Sequence, residues 1–214
     1  MAPSTASVLG VPFINAMRES YPDVRLHLVE SLSGNLERMI NTRQLDLAIV
    51  FQQEKILRWS ARPVLEERLF LIGTHALLAP LQEDHISPDQ LTSLPLIMPS
   101  QGHGLRGRLE AVCQQHHLSV EVVADIDGLA LLMQAVRSGL GATLQPGAAI
   151  SHLDHQALRV IDVVNPILSR PNFLVSLSDD ELTPAGLAAR VILSKVMRQL
   201  VESDRWPGAT LYAH

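Results

Sequence analysis

The chain has 214 residues, of which 47% are hydrophobic and 18% are charged. It is long enough to bury a sizeable core and too apolar to be disordered, so we expect one or two globular domains. A formal net charge of −5 and an aromatic content of 4% argue against a surface that binds nucleic-acid phosphates or stacks bases.

The first quarter of the chain alternates between helix and strand patterns. Apolar residues spaced by three and four predict a helix over residues 4–19, and Pro12 inside it indicates a kink or a later start. Alternating residues predict a strand over 24–29, and Ser33 is the expected N-cap of a second helix. The apolar run at 45–51 predicts a strand covered on both faces.

The rest of the chain continues this alternation. Gly139 can adopt the left-handed conformation that closes a helix, and Gly141 allows an immediate turn into a strand. The whole pattern predicts an α/β fold with a mainly parallel sheet and right-handed crossovers. The remaining predicted strands are 68–73, 94–98, 120–124, 142–144, 158–164 and 172–177. Further helices begin at Ser87 or span 105–117 and 128–138. A final helix opens at Thr183 and carries Leu187, Val191, Ile192, Val196 and Leu200.

Three motifs, in this order along the chain, resemble the effector-binding domain of LysR-type transcriptional regulators. The first is residues 17–26 (MRESYPDVRL), where methionine replaces the phenylalanine that is usual in the family. The second is residues 40–49, which end in LDLAI, and the third is residues 133–146 (MQAVRSGLGATLQP). Segments 2–7 and 98–110 are most similar to the nitrogen assimilation control group within that family.

The resemblance implies two Rossmann-like lobes joined by two crossing strands, similar to periplasmic solute-binding proteins. Lobe I would comprise residues 1–71 and 177–214, and lobe II would comprise residues 72–176. Family members carry an N-terminal winged helix-turn-helix and a linker helix ahead of this domain. We therefore expect a regulatory-domain fragment that begins within the family's first strand and reaches DNA only through the missing N-terminal module.

Hydroxyl side chains at two predicted helix starts are the candidate ligand contacts in lobe I. Ser4, Thr5 and Ser7 lie where backbone N–H groups lack helical partners and the helix dipole is positive, an arrangement that can hold a carboxylate. Ser33 begins the second helix at the same end of the sheet. Simple N-capping is the alternative role for such residues. The resemblance favours ligand contact, because this turn lines the family's effector cleft.

The loop after the strand at 94–98 supplies the candidate contacts in lobe II. Ser100 offers a hydroxyl, and Arg106 can pair bidentately with a carboxylate. A surface loop with a solvated arginine is the alternative interpretation. His103 is expected to be only a loop residue, and Asp127 is the expected N-cap of the helix that follows.

Metal binding and catalysis are not predicted. Neighbouring His116 and His117 point to different helix faces, while Cys113 and His116 make only two ligands on one turn. The cluster of His152, Asp154 and His155 has no cysteine partner. The sequence shows no nucleophile accompanied by a general base and a third group that would orient the base. We therefore expect no enzymatic activity, and we expect no metal and no cofactor.

The leading functional hypothesis is a regulatory domain that binds a small anionic effector between its lobes and transmits binding through an oligomer. A solute-binding module of a transport system is the alternative, and an α/β enzyme is a third possibility. The chain has no secretory signal pattern and no apolar run of the roughly 20 residues that a membrane helix needs. The single Cys113 fits a reducing cytoplasm, so we expect a cytoplasmic protein without a membrane partner.

A homodimer, or a tetramer built from it, is expected from the first helix. Leu9, Phe13, Ile14 and Met17 fill one of its faces, whereas Val8 and Val11 fall on the other side. In the family, this helix packs head to tail against the lobe II helix of a second subunit, here residues 105–117. Scattered surface apolar residues are the alternative reading of Val8 and Val11.

Overall fold

The structure is a computed structural model, and it describes residues 1–51, 60–101, 104–151 and 156–212. The chain divides into two compact units, one formed by Met1–Glu67 with Pro171–His214 and the other by Arg68–Arg170. The helices are α1 (Pro3–Ser20), α2 (Ser33–Asn41), α3 (Gly104–Gln115), α4 (Leu129–Arg137) and α5 (Pro184–Glu202), with short 3-10 helices at Pro88–Ser93 and Gly147–Ile150. The strands are β1 (Leu47–Val50), β2 (Ser60–Thr74), β3 (His85–Ile86), β4 (Pro95–Met98), β5 (Glu121–Asp125), β6 (Thr143–Pro146), β7 (Leu158–Val163), β8 (Ser169–Ser176) and β9 (Ala209–Leu211).

The first unit packs its helices on a short antiparallel arrangement of strands. Strand β1 pairs with β8, with Leu47 opposite Ser176, and the first part of β2 pairs with β9, with Leu65 opposite Leu211. Helix α2 packs against β1, and α1 packs against α5. A core of aliphatic side chains results, which is the outcome that the low aromatic content predicts; its centre includes Leu36, Ile40, Ala48, Val50 and Val175.

The second unit is built around the later part of β2. Leu71 of β2 lies opposite Leu144 of β6 on one side and opposite Ile161 of β7 on the other, and both ladders are antiparallel. Strand β3 pairs with β7 and β4 pairs with β5 in parallel ladders. The predicted α/β class is therefore confirmed. The prediction of a mainly parallel sheet is wrong, because β6, β7 and β9 all pair with β2 in antiparallel ladders.

The domain boundaries of the two units lie close to the expected exchange points. Strand β2 passes from the first unit to the second between Glu67 and Arg68, and β8 passes back between Arg170 and Pro171. The sequence places these exchanges at residues 71/72 and 176/177. Assignment of the two units as the family's lobes I and II remains a prediction.

Two local predictions in the first unit are wrong, and one of the two alternatives for Pro12 is excluded. Residues 24–29 form no strand: the hydrogen bonds of their backbone in the described chain are the turn bond from Val24 N to Tyr21 O and the bond from the Met1 amino group to Val29 O. Helix α1 starts at Pro3 and runs through Pro12, so Pro12 does not delay its start. Ser33 is the first residue of α2 rather than its N-cap, a position that Leu32 occupies without a side-chain hydrogen bond.

The start of α5 agrees with its prediction, and three of the apolar residues named for it, Ile192, Val196 and Leu200, are buried. Thr183 caps the helix, because its Oγ1 accepts a hydrogen bond of 3.1 Å from the Gly186 N–H. Val191 is 63% exposed, whereas Leu193 and Met197, which are not among those named for it, are buried. The positions of α1 and β9 decide which face of α5 is covered. The face that packs inward comprises Gly186, Ala189, Ile192, Leu193, Val196, Met197 and Leu200.

Helix α1 also buries more of its surface than the sequence suggests. Val8, expected on the second apolar face, is buried together with Leu9, Phe13 and Met17. Packing against α5 widens the covered stripe of α1. The expectation for Val8 is therefore wrong, and the surplus apolar surface of this helix is reduced to Val11, which is 67% exposed.

The turn between α4 and β6 forms as predicted. Gly139 has a φ of +80°, the left-handed conformation that closes α4. A Cβ atom on Gly141 would lie 2.8 Å from the Pro95 carbonyl oxygen and 3.0 Å from Cγ1 of Ile97. At this point Ala142 donates a 2.8 Å hydrogen bond to the same Pro95 oxygen, so the backbones can approach only because residue 141 lacks a side chain.

We predict that Gly141→Ala destabilises the protein by about 1–3 kcal/mol, because the added methyl overpacks a contact that includes rigid backbone. Gly107→Ala is the matched control, since residue 107 is an exposed position of α3 with nothing within 4 Å of an added Cβ. That variant should gain up to about 1 kcal/mol from helix propensity. Urea unfolding measures both, and a Gly141→Ala protein as stable as the wild type would contradict the close approach.

Candidate functional site

The first turn of α1 carries the clearest site feature of the first unit. Its first described i→i−4 hydrogen bond runs from Ala6 N to Ala2 O, at 2.9 Å, so the N–H of Thr5 precedes the helical ladder. The Thr5 side chain is fully buried, at 0% exposure. Among the described residues, nothing accepts from or donates to its Oγ1. No acidic residue lies in this first turn, so the positive end of the helix dipole is not neutralised locally.

The other two predicted hydroxyls of α1 are partly engaged by the helix itself. Ser7 Oγ donates a 2.6 Å hydrogen bond to the carbonyl oxygen of Ser4, one turn earlier. Ser4 is buried and Ser7 is exposed. The structure thus brings Ser4, Thr5 and Ser7 together on two successive turns, with Thr5 the most buried of the three.

Ser33 lies at a helix start that is tied to the start of α1. The Met1 amino group donates a 2.8 Å hydrogen bond to Val29 O, and Ser31 N donates a 3.1 Å bond to Met1 O. Met1 is two residues before α1, and Ser31 is two residues before α2. The expectation that both helix starts lie at the same end of this unit therefore has a structural basis. The Ser33 side chain is half-buried.

In the second unit, Ser100 is bound to an acid rather than open to solvent. Its Oγ lies 2.8 Å and 3.0 Å from the two carboxylate oxygens of Asp127, and its backbone N–H donates to the same carboxylate at 2.9 Å. Asp127 is therefore not the N-cap of α4, and that prediction is wrong; Gly128 holds the cap position. The cause is tertiary, because Ile126 N bonds to Met98 O and brings the two loops together.

Arg106 is held by two acids of its own unit. Its Nε donates to Glu110 at 2.7 Å and its Nη1 donates to Asp125 at 3.1 Å, while its side chain is only 12% exposed. A carboxylate ligand would have to use the remaining N–H groups of the guanidinium or displace Asp125. The ion pair between Arg106 and Glu110 is predictable from the sequence, because the two residues are four positions apart on one helix. The sequence does not predict that Asp125 lies within hydrogen-bond distance of Arg106.

The titratable side chains of the described residues form neither a metal-ion cluster nor an activated thiol. Within those residues, no group of three or more His, Cys, Asp and Glu side chains is placed to hold a metal ion. Burial raises the pKa of the Cys113 thiol, and Glu110 raises it further against the opposing charge of Arg106, so the nucleophilic thiolate is disfavoured. His103, His152, Asp154 and His155 lie outside the described residues. No helix in the described ranges is long and apolar enough to cross a membrane.

The fold and the three motifs correspond to one family. Residues 1–198 match the LysR substrate binding domain, and the chain belongs to this family. The nitrogen assimilation regulatory protein nac of Escherichia coli (strain K12) is 27% identical over 215 residues, covering 96% of this chain and 67% of that protein. The protein of the same name from Klebsiella aerogenes is 27% identical over 206 residues, covering 95% and 66% respectively. The chain thus spans about two thirds of the length of these curated relatives.

Solved structures show the same fold. The CcmR regulatory domain of Synechocystis PCC6803, in complex with 2-PG, has a TM-score of 0.80 at 18% identity and covers 92% of this chain and 95% of its own. The effector binding domain of QuiR, in complex with shikimate, has a TM-score of 0.75 at 17% identity, with coverages of 89% and 90%. The resemblance to LysR regulatory domains that the motifs indicate is therefore confirmed at the level of family and fold.

Proposed function

We propose that this domain is the ligand-sensing regulatory part of a LysR-type DNA-binding transcriptional regulator, and that it binds a small carboxylate or other small anion. The observation that carries the proposal is the buried Thr5 hydroxyl at the start of α1. The relatives named above are regulatory proteins, and two of the structural neighbours hold small molecules in their regulatory or effector-binding domains. DNA contact would come from a module outside this chain.

The buried Thr5 hydroxyl is energetically unfavourable without a hydrogen-bond partner. A buried polar group without a partner costs about 1–3 kcal/mol, and an anionic oxygen that accepts from Thr5 Oγ1 recovers this energy. The N–H groups of the first turn and the helix dipole favour negative charge at the same place. Shikimate, the ligand named for QuiR, is itself a carboxylate. A small carboxylate therefore satisfies both the hydroxyl and the electrostatic field of α1.

We retain the other predicted contacts as secondary parts of this proposal. Ser33 is supported by the hydrogen bonds that join the starts of α1 and α2 through Met1. Ser100 and Arg106 already interact with Asp127, Asp125 and Glu110. Because a ligand gains from Arg106 only what exceeds these existing pairs, we expect substitution of Arg106 to weaken binding less than substitution of Thr5.

A solute-binding module of a transport system is the competing function for this fold. The relatives favour a regulator, because they are named as regulatory proteins or transcriptional regulators. A regulator should couple ligand binding to a DNA-bound oligomer, whereas a transport module needs no such coupling. We propose a cytoplasmic regulator without catalytic activity of its own.

The test of the ligand site is Thr5→Val, which keeps the shape of the side chain and removes its hydroxyl. We expect the affinity for the small carboxylate that most raises the melting temperature in a screen to fall about 10-fold to 150-fold, the equivalent of a charge-assisted hydrogen bond. The free energy of unfolding without ligand should stay equal or rise, because the variant buries no unpaired hydroxyl. Calorimetric titration measures the affinity and urea unfolding measures the stability.

Thr210→Val is the matched control, since residue 210 is an exposed threonine of β9 in the same unit. It should leave both the affinity and the stability near those of the wild type. Unchanged affinity in both Thr5→Val and Arg106→Ala would show that the site is elsewhere.

We also propose a homodimer that uses the outer face of α1. Val11 is 67% exposed on this helix and is the apolar residue that remains for a partner. Val11→Glu should dissociate the dimer without loss of helical circular dichroism, because the Val11 side chain is mostly exposed. Sedimentation at micromolar concentration checks this, with Asn15→Glu on an exposed position of the same helix as the control for added charge. A wild-type mass of 23.5 kDa at all concentrations would contradict the dimer.

A further inference from the structure

A second polar atom of the first unit is buried without a partner. Asn172 of β8 is fully buried, at 0% exposure, and among the described residues nothing donates to its side-chain oxygen, Oδ1. A buried carbonyl oxygen that lacks a donor is unfavourable for the same reason as the Thr5 hydroxyl. Such an atom marks a place where a water molecule or a ligand supplies the missing hydrogen bond.

The Asn172 amide cannot remove this penalty by turning over. Its Nδ2 lies 3.5 Å from Oε2 of Glu67, whose Oε1 accepts a 2.8 Å hydrogen bond from Trp206 Nε1. Turned over, the amide would place its oxygen against the carboxylate, and two acceptors form no hydrogen bond. Glu67, which Trp206 holds in place, therefore directs Oδ1 of Asn172 away from the carboxylate.

Asn172 lies on the side of its sheet where α1 and α5 are found. Side chains alternate along a strand, and Phe173 and Val175 pack with α2 on one face of β8. Asn172 and Ser176 therefore point to the other face. There, Ser176 Oγ accepts a 3.2 Å hydrogen bond from Nη1 of Arg190 in α5, and α1 packs against α5.

Asn172 also lies at the end of the unit where α1 starts. Hydrogen bonds join the starts of α1 and α2, so both helices begin at the same end. Helix α2 packs along β1, and only residues 42–46 connect the two, so β1 runs back and its last residue, Val50, returns to this end. Val50 is opposite Phe173, the neighbour of Asn172 in β8. Thr5 and Asn172 are therefore at one end and on one side of the sheet.

The two buried atoms need different chemical groups. Thr5 Oγ1 can donate to a carboxylate oxygen, and the start of α1 favours the negative charge of that group. Asn172 Oδ1 can only accept, so a carboxylate, which has no proton to donate, leaves it unsatisfied. A hydroxyl or an ammonium group supplies the missing donor. A molecule that carries both a carboxylate and such a donor therefore satisfies both atoms.

We propose that the ligand is a small hydroxy-carboxylate or amino-carboxylate, and that Asn172 Oδ1 accepts a hydrogen bond from its hydroxyl or ammonium group. This inference rests on the proposed function, because Thr5 remains the contact of the carboxylate. Asn172 then determines specificity. An acid that lacks the donor group leaves a buried carbonyl oxygen unpaired, and sites of this kind strongly disfavour such analogues.

The experiment uses five acids with the same carbon skeleton, which are butyrate, 2-hydroxybutyrate, 3-hydroxybutyrate, 2-aminobutyrate and 3-aminobutyrate. Calorimetric titration of the 214-residue chain gives the affinity for each acid. We expect at least one substituted acid to bind about 10-fold or more tightly than butyrate. The identity of the preferred acid shows whether the donor is a hydroxyl or an ammonium group.

Substitutions separate the two contacts of the ligand. Asn172→Leu removes the acceptor and keeps the approximate size of the side chain, so butyrate should bind as in the wild type while the preference for the substituted acid disappears. Asn172→Ala replaces this variant if the leucine protein does not fold. Thr5→Val should weaken the binding of all acids by a similar factor and keep the preference. Asn41→Leu, at an exposed position at the end of α2, is the matched control and should change neither quantity.

Other results overturn the inference. Equal affinity of the wild type for butyrate and for all four substituted acids would show that no donor of the ligand reaches Asn172 Oδ1. A preference that survives in Asn172→Leu and Asn172→Ala would place the partner of the donor elsewhere. These two results leave the proposed carboxylate site intact. Unchanged affinities in Thr5→Val, or no binding by any of the five acids, would overturn the proposed function as well.

Discussion

The pairing register of β2 is the constraint on which both units depend. Its first part pairs with β9 around Leu65–Glu67, and its later part pairs with β6 and β7. Glu67 fixes this register, because its carboxylate is fully buried and accepts a 2.8 Å hydrogen bond from Trp206 Nε1, with Asn172 Nδ2 at 3.5 Å. A slip of one residue would turn Glu67 to the opposite face and leave a buried acid without these donors, at a cost of several kcal/mol.

The features that the sequence predicts well are local ones. Helix spacing places α1 and α5 within a few residues, Thr183 caps α5 as its type suggests, and Gly139 closes α4 in the left-handed conformation. Features that depend on distant neighbours are predicted badly. Residues 24–29 have a strand pattern but no complete ladder, since a strand needs a partner that the pattern cannot supply. Val191 is exposed because α1 and β9, which pack against α5, determine which face of that helix is buried.

The same division applies to the candidate site. The hydroxyls at the start of α1 are recognisable from residue type and helix position, but the sequence gives no sign that Thr5 would be fully buried with its Oγ1 unpartnered among described residues. The residue type of Arg106 predicts that it binds a carboxylate, and in the structure two carboxylates of its own unit already bind it. The ligand proposal therefore depends mainly on Thr5, and we expect Arg106 to contribute less to the affinity for the ligand. The first turn of α1 is also joined to the start of α2 through the hydrogen bonds of Met1.

The most direct measurement is a crystal structure of the domain with the small carboxylate that most raises its melting temperature. At about 100 times its dissociation constant such a ligand stabilises the protein by about 2.7 kcal/mol, which makes its selection straightforward. We expect a carboxylate oxygen within hydrogen-bond distance of Thr5 Oγ1, at the first turn of α1. A stabilising carboxylate bound elsewhere, with Thr5 Oγ1 still without a partner, would contradict it.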